Sequence, residues 1–396
     1  MGTFCFIAVM NVFGLAVEGF QWSILLSSYT IIFAMVSAAL FIMKVGSYRF
    51  SLSSMAYCGA IVIICLGFMI TSQYARDASR YFFLFVSTAV PGFMAGLQMC
   101  DHKLLRHAWK YIDVFMVLFT ASLAVYQLSA DQPFGYTVDY QTASYMGAFS
   151  FGLNLCMLSR ADGTERFRLF NSHGWRICSI ALLGLQAILT FMTGGRGGVA
   201  LLLLFALAAF AILMKQGIGI KKFVVLGLAA ALMVFVFHFV MENRSLNGVA
   251  RIFSGRDNRT NVYDLAFCAF RNKPFLGYGP YGYLDALNGI GYPHNIILEL
   301  LLTYGIAGII VEVGLAIVLC VHIKRTGLSN IPSWVFVIGI YSVVRLFFSS
   351  TFLSFSPFWF VLGFLCNYSS VSCEMGSGET ARRNMSKVKH SFEGSL

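Results

Sequence analysis

The residues whose types and spacing could do chemistry are arginines, one histidine and a set of glycines. Arg196 sits in the turn Thr193-Gly-Gly-Arg-Gly-Gly, where Thr193 is its only polar neighbour. Arg244, Arg251, Arg256 and Arg259 cluster ahead of the segment KPFLGYGPYGY. Guanidinium groups stay charged and make paired, planar contacts to phosphate oxygens. Such a set suits an anionic, diphosphate-bearing ligand; the plainer alternative for any one arginine is a stem that snorkels to lipid phosphates. His294 follows Pro293 and precedes Asn295. A neutral imidazole there is suited to accept a proton near neutral pH, although a histidine at a helix start also serves as a cap or packing residue. Gly277, Gly279 and Gly282 permit tight turns and a close backbone approach to a ligand.

Other chemistries lack their signatures. No nucleophile–base pair, phosphate-cradling loop, dinucleotide glycine motif or Cys/His metal spacing is evident. This leaves the arginines to stabilise the charge of a diphosphate leaving group. Glu299 and Glu312 fall inside an apolar stretch, where an acid needs a partner; Arg345 and Arg196 are the candidates.

The elements that must carry these residues follow from composition. Of 396 residues, 58% are hydrophobic and 11% charged, and the mean hydropathy is +0.75. Soluble domains are about 25% charged, so a soluble multidomain enzyme and a disordered chain are both excluded. An outer-membrane barrel would alternate apolar and polar residues. Here the apolar residues come in blocks of about 15–22, the length that spans a bilayer as helix. The class is an all-α polytopic membrane protein. Twelve spans are predicted, at about 3–20, 23–43, 53–72, 82–99, 111–128, 142–158, 177–193, 199–214, 223–241, 295–320, 334–350 and 355–368. The first lacks the basic start and cleavage pattern of a signal peptide and is read as a retained helix. Most of the ten cysteines lie in apolar blocks, as small packing residues.

Charge orients the chain. The net charge of +11 does not point to nucleic acid, because no basic soluble module is present. Eighteen of the 28 Lys and Arg residues lie in alternate connections and the tail, so they share one side of a twelve-span layout. That side is cytoplasmic, with both termini, because cytoplasmic loops collect positive charge. Residues 1–368 form one transmembrane domain, and 369–396 read as a disordered cytoplasmic tail. The external face then carries the glycine–arginine turn and the long loop 242–294. Within that loop, residues 260–271 have the spacing of a short amphipathic helix along the membrane surface.

GGRGG, then Arg259 followed four residues later by Tyr263, then KPFLGYGPYGY, then PHNIILELLLTYGIAG, together resemble the O-antigen ligase and O-antigen polymerase superfamily. The resemblance is close over roughly 190–315, and the PHN element before the helix is its most specific part. It implies a GT-C-like membrane glycosyltransferase of the bacterial inner membrane, with its site on the periplasmic face and no cofactor or metal. The donor would be a glycan on undecaprenyl diphosphate. The acceptor would be a lipid-linked repeat unit for a polymerase, or a lipid A core sugar for a ligase. A chain-length regulator is a candidate partner.

Carried over by position, Arg196 and Arg259 would hold the diphosphate and His294 would be the general base. Arg251, Arg256, Gly277, Gly279, Asn295 and Tyr263 would line the substrate site. Tyr263 stands where relatives often have Trp, and Arg256 competes with Arg259 for its register. Polymerase is placed ahead of ligase only because polymerases are many and diverse; the residues do not decide. A lipid-linked sugar transporter or flippase would use the same arginines without histidine chemistry, and a polymerase of peptidoglycan strands is a lower-ranked reading.

Overall fold

The computed structural model describes residues 22–45, 50–75, 77–99, 102–128, 140–159, 167–193, 195–215, 259–326 and 331–368. The expected spans at 3–20 and 223–241, the loop up to residue 258 and the tail lie outside the described residues. Among the described residues the regular elements are helices and there is no strand. They are α1 (Trp22–Val45), α2 (Leu52–Thr71), α3 (Ala78–Gln98), α4 (His102–Leu128), α5 (Tyr140–Ser159), α6 (His173–Thr193) and α7 (Arg196–Lys215). After them come α8 (Arg259–Asn272), α9 (Ile296–Thr326), α10 (Ser333–Phe348) and α11 (356–368). Helix α8 lies where the short amphipathic helix was expected. Helices α2, α3, α6 and α9 are long and apolar enough to cross a membrane, and the chain is a multi-pass membrane protein.

Helix α5 is the hub of one half, packed against α4, α6, α7 and α10. Its residues 143–154 are buried throughout, on every side of the helix. Small side chains make this approach possible, as is usual between membrane helices. A Cβ at Gly147 would collide with Thr190 of α6, and one at Gly152 with the Phe205 ring of α7. Polar residues add bonds that hydrocarbon cannot supply. The Asn154 amide donates to the Ser179 carbonyl (2.8 Å) and the Gln186 amide to the Thr120 hydroxyl (2.8 Å).

The other half is joined by glycines. Gly92 and Gly96 of α3 lie against the backbone of Ser356 and Phe360, and Gly363 of α11 lies against Phe93. This is the small-residue spacing that brings membrane helices into backbone contact. Asn367 closes the contact by donating to the Leu97 carbonyl (2.9 Å). Helix α1 packs on α3, where Gln98 donates to the Ser37 carbonyl (3.2 Å).

The tenth expected span is one element with a break. Gly305 has φ +63° and ψ −156°, so α9 consists of 296–304 and 306–326. The preceding loop is spliced into the gap. The Tyr278 and Gly279 amides donate to the carbonyls of Leu302 and Thr303 (both 2.8 Å). In return the Ile306 and Ala307 amides donate to the carbonyls of Pro274 and Phe275 (2.9 and 3.1 Å). Four backbone groups orphaned by the break are thereby satisfied, as burial in an apolar medium requires.

Gly305 is irreplaceable here. A Cβ on it would stand 2.5 Å from the Phe275 carbonyl carbon and oxygen, in a backbone region that side chains rarely adopt. Gly314, in the same helix, has open space where its Cβ would be. Gly305→Ala is therefore expected to cost more than about 2 kcal/mol and to lower the melting temperature of detergent-purified protein clearly. Gly314→Ala should be neutral or stabilise by up to ~1 kcal/mol. Equal melting temperatures for the two variants would refute the splice.

Candidate functional site

The splice fixes everything that follows it in the chain. Residues 281–287 pack between α8 and the first half of α9, in a cluster of Ala266, Ala269, Tyr283, Leu287, Leu298 and Leu302. The Tyr281 ring stacks on Tyr81 of α3, 3.6 Å between centroids. The chain then turns into α9 through His294, a non-glycine residue at φ +56°. Histidine tolerates this left-handed region better than most side chains, yet it is uncommon and clusters at functional sites. The Asn295 side chain accepts from the amides of Ile297 and Leu298 (3.0 and 3.2 Å). It is the N-cap of α9. His294 is half-buried, and Tyr292 lies against it edge-on at 4.5 Å.

Tyr292 in turn donates to the Ser349 carbonyl (2.9 Å), at the end of α10. The link 349–355 between α10 and α11 is the second support of the site. Glu299 holds it from one side. Its fully buried carboxylate accepts from the Thr351 hydroxyl, from the Phe352 amide (3.4 Å) and from the Tyr283 hydroxyl (3.3 Å). Burial first, and the neighbouring Glu299 second, push the Tyr283 hydroxyl well above its ordinary titration range, so it remains a donor. Thr88 of α3 donates to the Ser354 carbonyl (3.0 Å). Glu299 thus takes its hydrogen bonds from hydroxyl and amide donors, where an arginine partner was expected; the three donors already fill a buried carboxylate's needs.

Arg196 is the first residue of α7 and half-buried. Its turn is seated on α5. Ser144 donates to the Gly195 carbonyl (2.9 Å), and the places where Gly195 and Gly198 would carry a Cβ are filled by Ser144. The place beside Gly197 is filled by the Tyr145 hydroxyl. The glycines at 195, 197 and 198 thus serve packing against α5. The Tyr145 ring faces Arg345 of α10, whose guanidinium also donates to the Thr142 hydroxyl (3.0 Å). The structure therefore brings the Arg196 turn, Arg345 and the His294 turn into one chain of contacts, with α5 and α10 between them.

The remaining expected residues fall as follows. Arg259 opens α8, and Tyr263, one turn later, packs on the cluster around Tyr283. Arg251 and Arg256 lie outside the described residues, as does Arg244. Gly277 and Gly279 are both left-handed (φ +65° and +77°), but the close approach they allow is internal, to the Leu302–Thr303 backbone and to Thr71 of α2. Among the described residues no three His, Cys, Asp or Glu side chains gather as a metal-binding group. Beside the site, an apolar cavity of about 230 Å³ runs between α2, α9 and α11. Its wall starts at Ile296, two residues after His294, and continues along α9 past Tyr304 to Glu312 and Leu315.

Two parts of this arrangement were not read from the residues. The link 349–355 has no charge or motif to mark it. The break at Gly305 is hidden because a single glycine is common within membrane helices. The signal for the break was the pair Gly277 and Gly279 in the preceding loop, whose missing side chains let it approach another backbone.

Fold and site together define a multi-pass membrane protein with a histidine-led turn at one end of its helices and an apolar cavity beside it. Residues 181–313 match the family model described as O-Antigen ligase. That match supports the resemblance to the O-antigen ligase and polymerase superfamily, whose members are membrane glycosyltransferase-like enzymes. Among curated proteins none matches the chain.

The cap geometry distinguishes two roles for Asn295. Asn295→Ser keeps an N-cap acceptor and is expected to hold melting temperature and activity within about twofold, whereas Asn295→Ala should lose ~1 kcal/mol. A serine variant that melts normally but is inactive would give Asn295 a role toward substrate instead.

Proposed function

We propose that the protein transfers a glycan from undecaprenyl diphosphate to an acceptor sugar hydroxyl on the periplasmic face of the bacterial inner membrane. The orientation, with both termini cytoplasmic, rests on the distribution of basic residues. The observation that carries the reading is the position of His294, at the head of α9 and two residues before Ile296, which lines an apolar cavity. A base at a membrane boundary beside an apolar cavity suits a substrate whose reacting end is polar and whose anchor is an isoprenoid chain. The family match over 181–313 supports the same chemistry.

In this mechanism His294 takes the proton of the acceptor hydroxyl as its oxygen attacks the anomeric carbon. The bond from that carbon to the diphosphate oxygen breaks, and undecaprenyl diphosphate leaves with the electron pair. The configuration inverts. Arg196 and Arg259 stabilise the charge that grows on the diphosphate, with Arg251 and Arg256 as further candidates from the same loop. We assign the acceptor as the next lipid-linked repeat unit, which makes the protein a polymerase. The description of the matching family favours a second reading, a ligase that uses a lipid A core sugar.

Purified protein given lipid-linked glycan should yield product; growth in polymer length indicates a polymerase, and attachment to added lipid A core a ligase. His294→Ala is expected to lower turnover by about 10²-fold or more at an unchanged membrane level. Undiminished product from that variant would remove His294 from the base role. Arg196→Ala is expected to lose about 10²–10³-fold, with Arg196→Lys intermediate, because lysine keeps charge but not the paired geometry. Lipid translocation without any product would instead favour a flippase.

A further inference from the structure

Arg345 is the one charged residue of α10, in its last turn. An arginine in so apolar a helix is costly and marks function more often than packing. Hydroxyls and aromatic rings of four residues surround its guanidinium. It donates to the Tyr341 hydroxyl (2.6 Å) and the Thr142 hydroxyl (3.0 Å). It lies over the rings of Phe355, Tyr145 and Tyr341 at 5.2, 5.5 and 5.9 Å. Contacts over aromatic faces and forked donation to two hydroxyls need a flat, delocalised cation; lysine can satisfy only part of this.

These four residues come from three places that hold the candidate site. Thr142 and Tyr145 belong to the start of α5, where Tyr145 fills the space beside Gly197 and so seats the Arg196 turn. Phe355 ends the link 349–355, which Glu299 grips at Thr351 and Phe352. Tyr341 and Arg345 belong to α10, whose last carbonyls lead back to the histidine. The Ser349 amide donates to the Arg345 carbonyl (2.8 Å), and the Ser349 carbonyl accepts from Tyr292, the ring against His294.

We propose that Arg345 is a positioning residue that sets the Arg196 turn and the His294 turn at their working separation, by locking the start of α5 to the end of α10. The proposal rests on the transferase reading above. Arg345 acts through Tyr145 and through Phe355, which ends the link whose Ser349 carbonyl holds Tyr292. Its loss therefore degrades alignment of the diphosphate-binding arginine with the base, more than it weakens binding of the donor. A misplacement of about 1 Å between such groups costs up to about 10²-fold in turnover.

The test uses the full chain purified in detergent, with Arg345→Lys and Thr142→Val as variants that keep the helices packed. Both are expected to melt within a few degrees of the parent. Arg345→Lys should reduce kcat by about 10- to 100-fold with KM for the lipid-linked donor changed less than about threefold, and Thr142→Val should show a smaller loss of the same kind. Wild-type kcat in both variants overturns the proposal, as does a loss confined to KM, which would make Arg345 a direct binding group. Should the parent make no product, the transferase reading fails by itself. Spin labels at Asp285→Cys and Leu204→Cys, in a background without the native cysteines, then decide the positioning role. An Arg345→Lys distance distribution as narrow as the parent's overturns it, and a broadened one supports it.

Discussion

The exchange of four backbone hydrogen bonds between the broken helix α9 and residues 274–279 is the constraint on which the rest of the site depends. A helix interrupted inside an apolar environment leaves carbonyls above the break and amides below it without partners. Here the loop supplies both sets, through the amides of Tyr278 and Gly279 and the carbonyls of Pro274 and Phe275. The loop is thereby made part of the helix bundle. Everything between it and α9, including Tyr281, Tyr283 and the His294 turn, is tied down at both ends. Gly277 and Gly305 are the two residues whose missing side chains let the backbones meet.

A second layer of support is polar and buried. Glu299 gathers Tyr283 from the loop with Thr351 and Phe352 from the link between α10 and α11. A buried carboxylate with three donors is costly to break and specifies one arrangement. The same link accepts Tyr292 at Ser349 and Thr88 at Ser354, and it presents Phe355 to Arg345. An uncharged stretch of seven residues thus connects the histidine turn, α3 and the half of the bundle built around α5. The Arg196 turn joins from the far side, where α5 replaces the volume of three missing side chains.

Much of this was legible along the chain. Blocks of apolar residues mark the positions of α1 to α7 and α9 to α11, and apolar spacing marks α8, because each helix must satisfy its own backbone and show lipid or core an apolar face. Arg196 and His294 stood out as candidates too, since each is an isolated charge or imidazole among glycines and prolines. The partners of those residues were not. Tyr145, Ser349 and Thr351 are unremarkable by type, and they matter through contacts across roughly 50 to 200 positions of chain. Glu299 shows the same limit: its place in an apolar span announced the need for a partner, and arginine was the natural expectation, but hydroxyls and an amide already surround it.

By itself the sequence determined the class of molecule and singled out arginines and a histidine as candidates for chemistry, because hydropathy and side-chain chemistry are local properties. Only the tertiary structure decided that α9 is broken at Gly305. It also decided that the glycines at 195, 197, 198, 277 and 279 serve contact within the protein, and that Arg345 stands between the two halves of the site. Those outcomes depend on which surfaces lie within a few ångströms of each other. Close packing sets that for all the helices at once, and no single segment carries it.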